Sequence, residues 1–199
     1  MVKINFMGDV MLGELLENYR RGLRTVVGKR RVDPFEHVRP VLNEADLNVI
    51  NLECVLSDST ILEKPFSEIL ISPESFVRFL VDNRINVVTT ANNHALDHGR
   101  KAFDRTLEIL ESNGIAVMGY GPSGFFQKDP TIVVAGGKKI GFLGYNISNF
   151  PEPDRSRVLD RIRSVISDSR QSVDTMVVSM HWGEEYTNIP PHYVIEYGK

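Results

Sequence analysis

The feature that most constrains this chain is an alternation. Short runs rich in Val and Ile recur at Val2 to Phe6, Leu47 to Asn51, Val87 to Thr90, Ile115 to Met118, Thr131 to Ala135, Lys139 to Tyr145 and Thr175 to Met180. Segments with helical periodicity lie between most of them. Runs this short and this apolar suit strands buried on both faces. Strands alternating with amphipathic helices suit parallel pairing through helical crossovers. The expected class is therefore α/β, with largely parallel β-sheet flanked by helices. Thr131 to Tyr145 is the exception, because Gly136-Gly137 separates two strand-like runs as in a hairpin.

The helices carry start and stop signals. Asp33-Pro34-Phe35-Glu36 predicts a helix with Phe35, Val38, Leu42 and Ala45 on one face, kinked or divided by Pro40. Ser72-Pro73-Glu74 opens a second, with Phe76, Val77, Leu80 and Val81 inward. A third runs from about Gly99, with Ala102, Phe103, Thr106, Leu107 and Leu110 inward, and stops at Asn113-Gly114. A fourth carries Val158, Leu159, Ile162, Val165 and Ile166. No repeat, low-complexity tract or clear linker interrupts the pattern, so residues 1–199 read as a single domain.

Composition narrows the function classes. Lys and Arg number 23 against 26 Asp and Glu, a net charge of −3 that favours neither nucleic acid nor an anionic membrane. Cys54 is the only cysteine, so no intrachain disulfide forms. No apolar run approaches the ~18 residues of a membrane span. The chain starts directly on a strand pattern without the regions of a signal peptide. A soluble, cytoplasmic location is expected.

The polar outliers sit at strand ends. Asp9 follows the first run, Glu53 the second, Asn92, Asn93, His94 and Asp97 the third, and His181 the last. In open α/β sheets, ligands bind outside the carboxyl ends of the strands. Oxygen and imidazole donors together suit divalent Zn, Mn or Fe. Each residue also has a plainer use. Asp9 is placed as a turn former, Asn93-His94 could satisfy a buried turn, His181 could stack in the core beside Trp182, and Asp97 could cap the helix near Gly99.

Four blocks then resemble a known family in order and rough spacing. They are Gly8-Asp9-Val10-Met11-Leu12, Asn51-Leu52-Glu53, Ala91-Asn92-Asn93-His94-Ala95-Leu96-Asp97-His98-Gly99 and His181-Trp182-Gly183-Glu184-Glu185-Tyr186. The family is that of poly-gamma-glutamate capsule biosynthesis (CapA-like) proteins, related to the calcineurin-like metallophosphatases. The resemblance implies a metallophosphatase-like layered fold. It also implies a divalent metal centre of one or two Mn, Fe or Zn ions held by Asp9, Glu53, Asn93 and His181. His94 takes the place of the catalytic histidine, and Asp97 is placed to orient it. Trp182 and Glu185 are placed to border a substrate pocket. Two departures stand out. Met11 occupies a position usually held by histidine, and thioether suits such ions poorly. The family's later histidine-rich turn is absent.

Two function classes follow from the resemblance. One is a metal-dependent hydrolase acting on a small-molecule phosphoester. The other is a non-catalytic component of poly-gamma-glutamate synthesis or export that binds an anionic polymer or partner subunits. Arg20, Arg21, Arg24, Lys29, Arg30 and Arg31 form a basic stretch that would attract either anionic ligand, Arg20 and Arg21 foremost, or would be a solvated loop. No aromatic ladder accompanies these charges, so nucleic acid is not expected. Pro190-Pro191 followed by Tyr193, Val194 and Tyr197 reads as the first turns of a helix. The fold is accordingly expected to be incomplete at its C-terminal end, with homodimerisation through the open region.

Overall fold

The computed structural model describes residues 1–15, 20–30, 32–58, 68–120, 126–148, 151, 153–184 and 187–198. The chain divides into two compact units. Unit 1 comprises Met1–Thr90 and His94–Val117, and unit 2 comprises Ala91–Asn93 and Met118–Lys199.

Unit 1 contains, in order, β1 (Ile4–Val10), β2 (Glu14–Leu15), α1 (Leu23–Arg30), α2 (Arg39–Asn43), β3 (Leu47–Leu52), β4 (Val55–Leu56), β5 (Glu68–Ile69), β6 (Ile71–Ser72), α3 (Val77–Asp82), β7 (Val87–Thr89), α4 (Gly99–Ser112) and β8 (Ala116–Met118), the last reaching into unit 2. The main sheet has the order β1-β3-β7-β8. β1 and β7 both pair in parallel with β3, through Asn5↔Asn48 and Ile50↔Val88 among others. All six residues of β3 are buried, as a strand between two others and under helices must be. Leu56, Leu80, Val88 and Leu110 anchor the core. β2 with β5 and β4 with β6 add two-residue ladders too short to leave any periodicity in the sequence.

The helix ends follow local chemistry. α4 stops where Gly114 turns to φ +76, the left-handed conformation that suits glycine. The Ile115 amide then donates to the Leu110 carbonyl at 3.0 Å and Gly114 to Glu111 at 3.0 Å, which satisfies two carbonyls at the helix end. The helix expected from Asp33 is shorter than its pattern. Asp33 Oδ1 accepts the Phe35 amide at 2.8 Å within a series of turns, and α2 begins only at Arg39. Pro40 occupies the first turn of α2, where its missing N–H is harmless. The second helix buries Phe76, Val77, Phe79 and Leu80, whereas Val81 is exposed. It starts with a 3-10 turn at Glu74–Phe76, and three residues per turn rotate the inward face. The basic stretch is not all loop. Its middle forms α1, pinned by buried Val27 and by Glu14, which accepts the Thr25 hydroxyl at 2.7 Å.

Unit 2 contains β9 (Thr131–Ala135), β10 (Lys138–Asn146), α5 (Asp154–Ser169), β11 (Thr175–His181) and α6 (His192–Tyr197). Its sheet has the order β11-β10-β9. β9 and β10 form the expected antiparallel hairpin, and Gly136 (φ 55) and Gly137 (φ 74) supply the two positive φ values of a tight two-residue turn. β11 returns parallel to β10 after α5, ending in register at Asn146↔His181. Leu143, Tyr145 and Ile147 pack against Leu159 and Ile162 of α5. Burial raises the Tyr145 phenol to about 12. Among the described residues no helix is long and apolar enough to cross a membrane.

Candidate functional site

In unit 1 the site begins with two carboxylates on neighbouring strands. Asp9 lies within β1 rather than after it, because the strand runs on to Val10. The β1–β3 register shifts between Phe6 and Asp9, then resumes as Asp9↔Asn51 and Val10↔Leu52. Bulges of this kind re-aim side chains. Glu53 follows β3 directly, and its amide donates to the Val10 carbonyl at 3.1 Å. Glu53 is buried and Asp9 is exposed, and each brings a carboxylate oxygen within 4.8 Å of the other. Asn51 Nδ2 donates to Asp9 Oδ1 at 2.7 Å. Asn51 stands in the Asn51-Leu52-Glu53 block, where the sequence alone assigns it no role. Its one sequence signal is an amide at the end of an apolar strand run, and the β1–β3 register sets it directly opposite Asp9.

The turn after β7 supplies the next group. Asp97 Oδ2 lies 2.7 Å from His94 Nδ1, with both side chains mostly covered. An ionised carboxylate only accepts, so Nδ1 carries the hydrogen and the imidazole is held in one tautomer. Asp97 is therefore engaged with His94 rather than capping α4, whose N-cap His98 makes no side-chain cap bond. His98 itself is buried. Desolvation pushes its pKa below the usual histidine value, Asp97 opposes that shift, and Arg24 adds to it. Arg20 and Arg21 are exposed just before α1, with the Arg20 amide donating to Glu14 Oε1 at 3.1 Å.

In unit 2, His181 is the last residue of β11 and Asn93 comes from the short Ala91–Asn93 segment. His181 Nε2 lies 2.7 Å from Asn93 Oδ1. At this distance Nε2–H donates to the amide oxygen; with that hydrogen lost, the imidazole nitrogen and amide oxygen are ligand types that a borderline divalent ion takes, as are the Asp9 and Glu53 carboxylates. Trp182 is half-buried and meets Tyr193 of α6 edge-to-face, with ring centroids 6.4 Å apart. Glu185 and Arg31 lie outside the described residues.

Residues 3–199 match the family described as Bacterial capsule synthesis protein PGA_cap. The chain belongs to that family. Among curated relatives, this PGA_cap chain is 26% identical over 200 residues to the PGA biosynthesis protein CapA of Bacillus subtilis, covering 94% of this chain and 50% of that one. It is 26% identical over 203 residues to the Capsule biosynthesis protein CapA of Bacillus anthracis, covering 94% and 48%. It thus spans about half the length of these relatives. Among solved structures, a putative 5'-nucleotidase from Staphylococcus aureus in complex with alpha-ketoglutarate resembles 78% of this chain and 33% of its own at a TM-score of 0.50 and 14% identity. That likeness concerns the fold alone, and it agrees with the expected α/β architecture of largely parallel sheet flanked by helices.

Proposed function

We propose that this PGA_cap protein is a metal-dependent phosphoesterase. The observation that carries the reading is the carboxylate pair, with Asp9 and Glu53 oxygens within 4.8 Å of each other beside the ends of adjacent parallel strands. Asp9, Glu53, Asn93 and His181 are the residues proposed to hold one or two divalent ions. Such an ion, of the Mn, Fe or Zn type, supplies Lewis-acid stabilisation of charge on a phosphoryl oxygen. His94 is proposed as the proton donor to the leaving oxygen. Asp97 accepts the Nδ1 hydrogen, so donation requires the doubly protonated ring, whose Nε2 hydrogen passes to the leaving oxygen and leaves the neutral Nδ1–H imidazole behind. Asn51 steadies Asp9. Trp182, Glu185, Arg20 and Arg21 are proposed to contact an anionic substrate, which the two arginines would attract.

The test is metal analysis of the purified protein together with hydrolysis of a nitrophenyl phosphate diester. His94→Ala should lower turnover by ~10²–10⁴-fold while metal content stays near normal. Asn93→Ala and His181→Ala should lower metal content itself. Full turnover in His94→Ala would remove that residue from the mechanism.

The names of the relatives favour a second reading. Both are capsule or PGA biosynthesis proteins, so the same anion-seeking groups would serve as a non-catalytic holder of an anionic polymer in capsule synthesis. Absence of metal after supplementation with Mn, Fe and Zn, with retained binding of a soluble polyglutamate, would select that reading.

A further inference from the structure

The proposed metal-binding role of His181 demands that its imidazole be held at a fixed angle, yet His181 is the last residue of an edge strand in the unit 2 sheet. Strand ends fray unless something beyond them is fastened. On its strand side, His181 is fixed by register with Asn146 and by its own carbonyl, which accepts the Ile147 amide at 3.0 Å. On its far side the chain turns at Gly183, where φ is +107, a conformation that glycine adopts readily and other residues rarely. The Gly183 amide donates to the Tyr193 hydroxyl at 3.1 Å.

Tyr193 is itself held. The Arg155 guanidinium of α5 lies 3.9 Å from the centre of its ring, and Trp182 meets the ring edge-on. Tyr193 sits in the first turn of α6, which Pro191 starts. The hydroxyl is thus the tip of a braced side chain, aimed at the one amide that sets the path out of β11.

We infer that Tyr193 is a positioning residue. Through the Gly183 amide it clamps the exit of β11 and keeps the His181 imidazole directed at Asn93 Oδ1. The inference rests on the metal-centre reading for its consequence, but not for its geometry. α6 then has a task besides packing the half-buried Tyr193 and Tyr197, namely holding in place a side chain two residues before the glycine turn.

Tyr193→Phe tests this cleanly, because the ring contacts with Arg155 and Trp182 survive and only the hydroxyl goes. Two measurements on the full chain are needed. The first, without metal, is the ring nitrogen and carbon-bound proton NMR signals of His181, with hydrogen exchange at the Gly183 amide. Tyr193→Phe should shift or broaden the ring signals and speed exchange at Gly183. The second is titration with Mn(II) and Zn(II). Affinity should fall about threefold to tenfold, the range one neutral hydrogen bond commands. His181→Ala serves as the reference for losing the ligand outright. Unchanged ring signals and exchange in Tyr193→Phe would overturn the inference whatever the metal does. Altered ring signals with no metal binding by the wild-type chain, or with binding that His181→Ala leaves intact, would keep Tyr193 as a clamp and overturn the metal reading.

Discussion

Gln127 offers the sharpest test of the unit 2 scaffold. β9 pairs with β10 only as far as Thr131↔Phe142, so the next stretch of β10, paired with β11 on one side, has no β9 residue on the other. The Gln127 side chain takes that place. Its Oε1 accepts the Gly144 amide at 2.9 Å, and its Nε2 donates to the Phe142 carbonyl at 3.1 Å. One side-chain amide thus does what one peptide group of a neighbouring strand would do. The same Oε1 accepts the Gly119 amide at 2.8 Å. Gln127 is only 2% exposed, so water cannot readily replace it. Gln127→Met keeps the volume and flexibility and removes every one of these bonds. Three buried backbone groups then lose this partner, at ~1–3 kcal/mol each, for a total of about 3–9 kcal/mol. That is a large part of the ~5–15 kcal/mol that holds a typical domain together. Urea titration followed by circular dichroism measures the loss, and hydrogen exchange should show the Gly119 and Gly144 amides losing protection. A variant within ~1 kcal/mol of wild type, with both amides still protected, would refute the reasoning.

Three further outcomes are expected. Burial raises the Cys54 thiol to about 11, so its thiolate fraction at pH 8 is about a hundredfold below that of a free thiol, and a disulfide reagent should label it only on unfolding; native labelling at the free-thiol rate would contradict its burial. Gly119→Ala would place a Cβ 2.6 Å from the Ala91 Cβ at φ +95, and should destabilise by about 2–4 kcal/mol in the same urea assay, whereas a neutral result would mean the Ala91 turn yields easily. Because the folded pKa of His98 is depressed, its contribution is intact above the unfolded value near 6.5 and is lost as pH falls from there toward the folded value; stability should therefore drop on acidification through that window, and His98→Gln should flatten the slope.

Much of the architecture could be read from local pattern, because it depends on local chemistry. The Gly136-Gly137 turn, the run of α4 to Asn113-Gly114, and the start of α6 after Pro190-Pro191 are dictated by backbone conformations that few residues adopt. The seven strand runs were legible as short Val- and Ile-rich segments, and all seven are strands within a few residues of their expected limits; burial on both faces holds for β3 and β7, whereas β1 exposes Phe6 and β9 exposes Ile132 and Val134. The residues able to bind a metal were legible for a related reason: carboxylate, amide and imidazole groups are conspicuous at the ends of apolar runs.

Tertiary structure decided what depends on neighbours distant in sequence. The two-residue ladders carry no period, since pairing across many intervening residues is invisible locally. Val81 faces out and Phe79 in because a 3-10 turn rotates the helix that carries them. Asp97 turns to His94 rather than to the start of α4, a choice between two nearby partners that composition cannot rank. Asn51 reaches Asp9 only because a register shift sets β1 against β3 at that pair. Gln127, in a loop rich in Pro and Gly, gave no hint of its place beside β10. A single amide acquires that role only when the strand it substitutes for ends beside it.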